Sequence, residues 1–242
     1  MNGYARFVRR IRAKEFLRKG FLWFLGWFFG HVMTLEARGL ENIPERGAYI
    51  IAANHNGHGD HGSIFFVLGK KRDKLKIVGA RDHFFEGWRV ILGIFWDAAI
   101  GAVPLERREG KEYAKRARVD FSFLKDLLAE GYSLLIYPEG GRKSRDDGWK
   151  LSAFKGGVSS LARKCEVAII PCAVKGTEKF LTKTRGFTDF LRILAAPQLL
   201  EGTKIVVSFG EPILPCAEGK EKSSSEITKE VHKAVQGLLD TM

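Results

Sequence analysis

The sequence predicts an α/β fold, a mostly parallel or mixed central sheet flanked by helices, preceded by an N-terminal amphipathic and aromatic helical hairpin. From residue 34 onward, short apolar runs rich in β-branched residues alternate with segments of helical period, the pattern of strands and helices taking turns along a chain. Several of those runs, such as AYIIAA at 48–53 and VAIIPCAV at 167–174, are continuously apolar, which suits strands covered on both faces. The 242 residues, 45% hydrophobic and 28% charged, suffice for one sizeable core and argue against a disordered, collagen-like or polytopic membrane chain.

The first element is set apart by its charge. Arg6, Arg9, Arg10, Arg12, Lys14, Arg18 and Lys19 stand against Glu15, so half of the net charge of +12 lies in the first twenty residues. FLWFLGWFFGHVM follows at 21–33, with six aromatic rings in nine positions, Phe21 to Phe29. That is the composition of an interfacial segment. The uncharged stretch from Gly20 to Leu35 has sixteen residues, whereas a helix crossing a bilayer needs about 20. A signal peptide shares the basic-then-apolar layout, but no small-x-small cleavage site follows before Glu36 and Arg38. A buried aromatic helix behind a solvated basic one is the competing reading. The expectation is a helical hairpin over 1–33 lying in an anionic membrane surface, followed by an α/β domain over 34–242.

In the body of the chain, strands are expected at 34–38, 48–53, 75–79, 99–104, 133–137, 167–174 and 204–209. Helices are expected at 60–69, 84–95, 111–130, 156–164 and 223–240. Ser223 with Glu226 three residues later opens the last helix as a capping box. GKEKSSS at 219–225 reads as a solvated loop before it.

A net charge of +12 implies a polyanionic partner: nucleic acid, an anionic membrane or a phosphorylated substrate. No nucleic acid is expected, because the basic residues adjoin an aromatic run instead of being interleaved along a groove-reading motif. Cys165, Cys172 and Cys216 are odd in number and widely spaced, which gives no disulfide framework and points to a reducing compartment.

The chemistry concentrates in two loops, each directly after an apolar strand, where open α/β sheets bind ligands. The first is NHNGHGDH, 54–61. Its His58, Asp60 and His61 form part of an H-x-H-x-D-H metal pattern, but Asn56 stands where the first His belongs, and His83 and His232 are too few and badly placed to complete two metal shells. The second reading pairs His55 with Asp60. If a helix begins near Asp60, its carboxylate can return to the imidazole, fix the tautomer and stabilise the imidazolium as His55 removes a proton. No G-x-S-x-G elbow is present and no cysteine is close in sequence, so the attacking hydroxyl would belong to the substrate. This suits acyl transfer from an activated donor such as a thioester. Polar loop residues with local hydrogen bonds are the plainer alternative. The second loop is YPEGGRKS, 137–144, where glycines allow close backbone approach, Arg142 can fork onto a phosphate, and Glu139 can accept from hydroxyls or orient Arg142. A turn with solvated charges remains the alternative for this motif by itself.

Four blocks in order then resemble the glycerophospholipid acyltransferase family, typified by 1-acyl-glycerol-3-phosphate (lysophosphatidate) acyltransferases: GLENIPERGAYIIAANH with the H-x4-D of His55 and Asp60, GAVPLER (101–107), YPEGGRKS, and VAIIPCAVKGT (167–177). ARDHFFE (80–86) and AFKGG (153–157) are similar to family sequence between the blocks. The resemblance implies His55 as general base, Asp60 as its orienting partner, Arg107, Glu139 and Arg142 on the acceptor's phosphate and glycerol, and Gly140 and Gly141 shaping that pocket. The chain departs from the family at Gly57, in place of a serine, and at Gly141-Arg142-Lys143-Ser144, where the family has T-R-S. The implied activity moves a fatty acyl group from acyl-CoA or acyl-carrier protein to a lysophospholipid hydroxyl, with no metal or organic cofactor, on the cytoplasmic face of a membrane. A catalytically inactive lipid-binding protein of the same fold is the rival.

Overall fold

A computed structural model of the chain describes residues 18–24, 26–27, 33–57, 59–80, 101–105, 121–141, 150–179, 201–217 and 219–242. Seven strands, β1 Thr34–Arg38, β2 Tyr49–Ala53, β3 Leu75–Ala80, β4 Ala102–Leu105, β5 Ser133–Ile136, β6 Ala168–Lys175 and β7 Lys204–Phe209, form one sheet in the order β1-β7-β6-β2-β5-β3-β4. Every pairing is parallel except β6 with β7, so the sheet is mixed, as the sequence predicts. The expected strand positions agree to within a few residues. β4 is the widest departure, because Gly101 adopts a left-handed conformation (φ 68°) directly before it and the strand begins only at Ala102.

Continuous apolar strands become two cores because neighbouring residues point to opposite faces. Tyr49, Ile51 and Ala53 of β2 join one core, with Ile77, Leu135, Ile170 and Val207. Ile50 and Ala52 join the other, with Leu134, Ile169 and Ala173. The first face is covered by α1, Gly59–Val67, through Ile64 and Phe65. Residues 18–24 and 26–27 are also helical, and Phe21, Leu22 and Phe24 pack against this same core. The second face is covered by α2 (Ser122–Ala129), α3 (Gly157–Cys165) and α4 (Ser224–Asp240).

Ile227, Val231 and Val235, spaced four apart, are the buried stripe of α4. Its capping box is formed as expected: Ser223 Oγ accepts from the Glu226 N–H, and the Glu226 carboxylate accepts from the Ser223 N–H. Two expectations need correction. Of the helix expected over 111–130, residues 111–120 lie outside the described residues, and Phe121, with non-helical backbone (φ −95°, ψ 6°) and its ring on the second core, separates them from the helix that begins at Ser122. The loop expected over 219–225 is partly paired, because left-handed Gly219 turns the chain so that Lys220–Glu221 lies antiparallel to Cys216–Ala217. The helix expected over 84–95 and, of the hairpin expected over 1–33, residues 1–17, 25 and 28–32 lie outside the described residues.

Candidate active site

Strands β2, β5 and β6 are neighbours and parallel, with Ala52 in register with Ile136 and with Pro171. Their C-terminal ends therefore release three distant loops, 54–57, 137–141 and 176–179, at one edge of the sheet. Asn54 ties the first loop to β6: its side chain donates to the Val174 carbonyl at 2.9 Å and accepts from the Val174 N–H at 2.7 Å. An amide side chain thus continues the backbone ladder one residue beyond β2. The Asn56 amide donates to the same carbonyl at 3.1 Å, and its buried Oδ1 has no hydrogen-bond partner among the described residues.

With the loop held at both asparagines, His55 faces Asp60 in the first turn of α1. His55 Nδ1 lies 2.9 Å from Asp60 Oδ2. That oxygen also accepts from the N–H groups of Asn56 (2.7 Å) and Gly57 (2.9 Å), and Oδ1 accepts from the Thr177 hydroxyl (2.5 Å). Four donors and a helix N-terminus compensate a carboxylate that has no exposed surface. Because a carboxylate can only accept here, the His55 proton sits on Nδ1 and the Nε2 lone pair remains as the base. Nε2 makes no hydrogen bond among the described residues, and the side chain is 12% exposed.

The glycine-rich loop meets this dyad directly. Glu139, 9% exposed, accepts from the His55 N–H at 2.9 Å through Oε1 and from the Ser152 N–H at 2.8 Å through Oε2. Its carboxylate joins the two motif loops and the 150–155 segment. Gly140 has φ 77°, which disfavours any side chain there. The Lys155 ammonium lies over it, 2.4 Å from where a Cβ would be. Gly141 is exposed, with ordinary φ, and no atom of the described residues lies where a Cβ would meet it. Arg107, Arg142 and His58 lie outside the described residues.

The fold also brings a thiol to the site that the sequence placed far away. Cys172 is in register with Ala53, on the face that carries α1. It is fully buried, and burial first, then the charge of Asp60, pushes its thiol well above the usual range. A protonated, inaccessible thiol is no nucleophile, so Cys172 adds no attacking group to the His55–Asp60 pair.

Among known proteins, the family model described as Acyltransferase matches residues 34–175, more than half of the chain. The chain belongs to the acyltransferase family. That match runs from β1 through the end of β6 and so contains His55, Asp60 and Glu139. An uncharacterized protein of Mycobacterium tuberculosis is 27% identical across 89% of this chain, and this chain spans 63% of that protein's length. The chloroplastic 1-acyl-sn-glycerol-3-phosphate acyltransferase of Arabidopsis thaliana is 30% identical over 61% of this chain and 37% of its own. The crystal structure of the 1-acyl-sn-glycerophosphate (LPA) acyltransferase PlsC from Thermotoga maritima aligns with a TM-score of 0.65 at 22% identity, covering 98% of this chain and 88% of that one. This last likeness establishes the acyltransferase fold.

Several residues around the His55–Asp60 pair escaped the sequence reading. Thr177 closes the matched block VAIIPCAVKGT, yet nothing local marks it as a partner of Asp60, 117 positions away. Asn54 and Tyr137 likewise look like ordinary strand-end residues until β6 and α1 are in place. The one available signal was their position immediately after apolar strands.

Proposed function

We propose that this protein transfers a fatty acyl group from an acyl thioester, acyl-CoA or acyl-carrier protein, to a hydroxyl of a lysophospholipid such as 1-acyl-glycerol-3-phosphate. The observation that carries this reading is the braced imidazole: Nδ1 committed to a fully buried Asp60, with Nε2 making no hydrogen bond and a buried, protonated Cys172 the nearby thiol among the described residues. His55 Nε2 takes the proton of the acceptor hydroxyl as the oxygen attacks the thioester carbonyl. The C–S bond breaks, the thiolate receives a proton, and an ester and a free thiol result. The attacking oxygen belongs to the substrate, so the mechanism passes through no acyl-enzyme and requires no metal or organic cofactor. Arg107 and Arg142, with Glu139, Gly140 and Gly141 forming the loop that carries Arg142, are proposed to receive the acceptor's phosphate and glycerol. Lys155, over Gly140, adds positive charge to this loop.

Residues 1–33 are proposed to seat the protein on an anionic membrane at its cytoplasmic face, where lysolipid and acyl chain are delivered. No described helix is long and apolar enough to cross a membrane. Trp23 and Trp27, in the helical stretches 18–24 and 26–27, are 74% and 40% exposed, while Phe21, Leu22 and Phe24 pack against the core. Withdrawing the two exposed indoles from water is worth on the order of 5 kcal/mol. Arg18, bonded to Asp73 at 2.6 Å, anchors that helix to the body.

The test is thiol release from acyl-CoA with and without lysophosphatidate, followed by lipid mass spectrometry. His55→Ala is expected to lose about a hundredfold or more in kcat while still folding. Near wild-type turnover of that variant defeats the assignment. Thiol release that ignores the lysolipid defeats the acceptor. For the membrane role, Trp23→Ser/Trp27→Ser should fail to float with anionic liposomes, and unchanged flotation refutes it.

A further inference from the structure

His55 has a second neighbour that neither the family blocks nor the mechanism accounts for. The Tyr137 ring lies against the flat face of its imidazole, with centroids 4.0 Å apart and planes 22° from parallel. Tyr137 is buried, and its hydroxyl is 2.7 Å from Nδ1 of His61, the residue directly after Asp60 in α1. The His61 ring meets the tyrosine edge-on, at 5.0 Å and 72°. The chain of contacts therefore closes on itself: His55 to Asp60 by a hydrogen bond, Asp60 to His61 by the helix backbone, His61 to Tyr137 by a second hydrogen bond, and Tyr137 back to His55 by stacking.

The physical consequence concerns an angle that Asp60 does not control. One hydrogen bond at Nδ1 fixes a point on the imidazole, but the ring torsion of histidine is broad, and rotation swings Nε2 away from an incoming hydroxyl. A general base must come within about 2.6–3.2 Å of the proton it takes. An aromatic plane at 4.0 Å restricts that rotation from one side. The plane can do so only if it is itself immobile. Tyr137 is pinned at its backbone, where its carbonyl accepts from the Gly140 N–H at 3.0 Å, and at its far end by His61.

We propose that Tyr137 and His61 are positioning residues that set the ring plane of His55, Tyr137 by stacking and His61 by anchoring the tyrosine hydroxyl; this rests on His55 being the general base. The direction of the anchoring bond follows from the surroundings of the phenol. Burial first, and then the charge of Asp60, keeps the phenol protonated, so Tyr137 donates and His61 Nδ1 accepts. The His61 proton is thereby placed on Nε2.

The experiment measures kcat and KM by thiol release from palmitoyl-CoA with lysophosphatidate in mixed micelles, for Tyr137→Phe, Tyr137→Leu, His61→Leu, the double variant Tyr137→Phe/His61→Leu, and His55→Ala. Misplacing a reacting group by an ångström is worth about 100-fold. Tyr137→Leu, which deletes the stacking plane, is expected to lose about 10- to 100-fold in kcat at unchanged KM. Tyr137→Phe keeps the plane and should lose about 3- to 10-fold, so that the conservative change rescues most of the effect. His61→Leu leaves a buried hydroxyl without its acceptor and should be worse than Tyr137→Phe, and the double variant should recover to the Tyr137→Phe level. Long-range ¹H–¹⁵N spectra should show His61 Nδ1 unprotonated in the wild type, and that signature should weaken in Tyr137→Phe.

Equal effects of Phe and Leu at 137, losses confined to KM, strict additivity of the 61 and 137 changes, or a protonated His61 Nδ1 would each overturn the proposal. Should Tyr137→Leu fail to fold, the Tyr137→Phe/His61→Leu cycle and the spectra decide. His55→Ala separates the two levels. If it retains turnover, the general-base reading fails and this inference with it. If it is inactive while the 137 and 61 variants match wild type, only the positioning role fails.

Discussion

Asp60→Asn isolates the charge of the dyad from its geometry. Oδ2 of Asp60 accepts three N–H groups, from His55, Asn56 and Gly57, whereas Oδ1 meets a hydroxyl, that of Thr177. An asparagine can place its carbonyl oxygen in the Oδ2 position and its amide NH2 toward Thr177, because a hydroxyl can rotate to accept where it previously donated. The His55 tautomer is then preserved, and what disappears is the negative charge that stabilises the imidazolium. Two unit charges about 4 Å apart at an effective dielectric near 20 attract by about 4 kcal/mol. Allowing for the partial exposure of His55, about 2–4 kcal/mol is expected to leave the transition state, or between about 30- and 1,000-fold in kcat at unchanged KM. Steady-state thiol release reads this directly, and a thermal melt reports whether the fold survives. Thr177→Val added to Asp60→Asn strands the new NH2 and should remove about 1–3 kcal/mol more stability. An Asp60→Asn enzyme keeping more than about a tenth of wild-type kcat would refute the reasoning.

Asn54→Ala leaves the Val174 N–H without its side-chain partner while its carbonyl keeps Asn56, so urea unfolding should show a loss of about 1–3 kcal/mol, and less than about 0.5 kcal/mol contradicts the tie. Gly141→Thr, which restores the residue of the family block, has an ordinary φ and meets no atom of the described residues, and its melting temperature should stay within about 2 °C of wild type. Gly140→Ala, by contrast, forces a left-handed alanine (φ 77°) and should destabilise by about 1 kcal/mol. The thiol of Cys172 and the phenol of Tyr137 are both raised on folding, from ordinary values of 9.0 and 10.0. Above those values the unfolded chain releases protons that the folded one keeps, so stability is full below pH 9 and declines as pH rises beyond it. The urea midpoint should follow that course, and Cys172→Ala and Tyr137→Phe should each flatten part of the slope.

The sequence by itself determined the elements and the chemistry they carry. Runs such as YIIAA and KIVVSF are local patterns, and the alternation of their side chains across two faces follows from strand geometry alone. The Ser223–Glu226 cap and the spacing of His55 and Asp60 are equally local, the latter because five residues span a loop and one helical turn. Strand order is different. It is set by how all the apolar faces are buried at once, and no run of residues announces its neighbours. Only the placement of β2 between β5 and β6 turned Glu139 onto the His55 backbone, 84 positions away, and Thr177 onto Asp60. The same placement put Cys172 under the dyad, where burial disarms it, and laid Tyr137 against the imidazole it is proposed to orient.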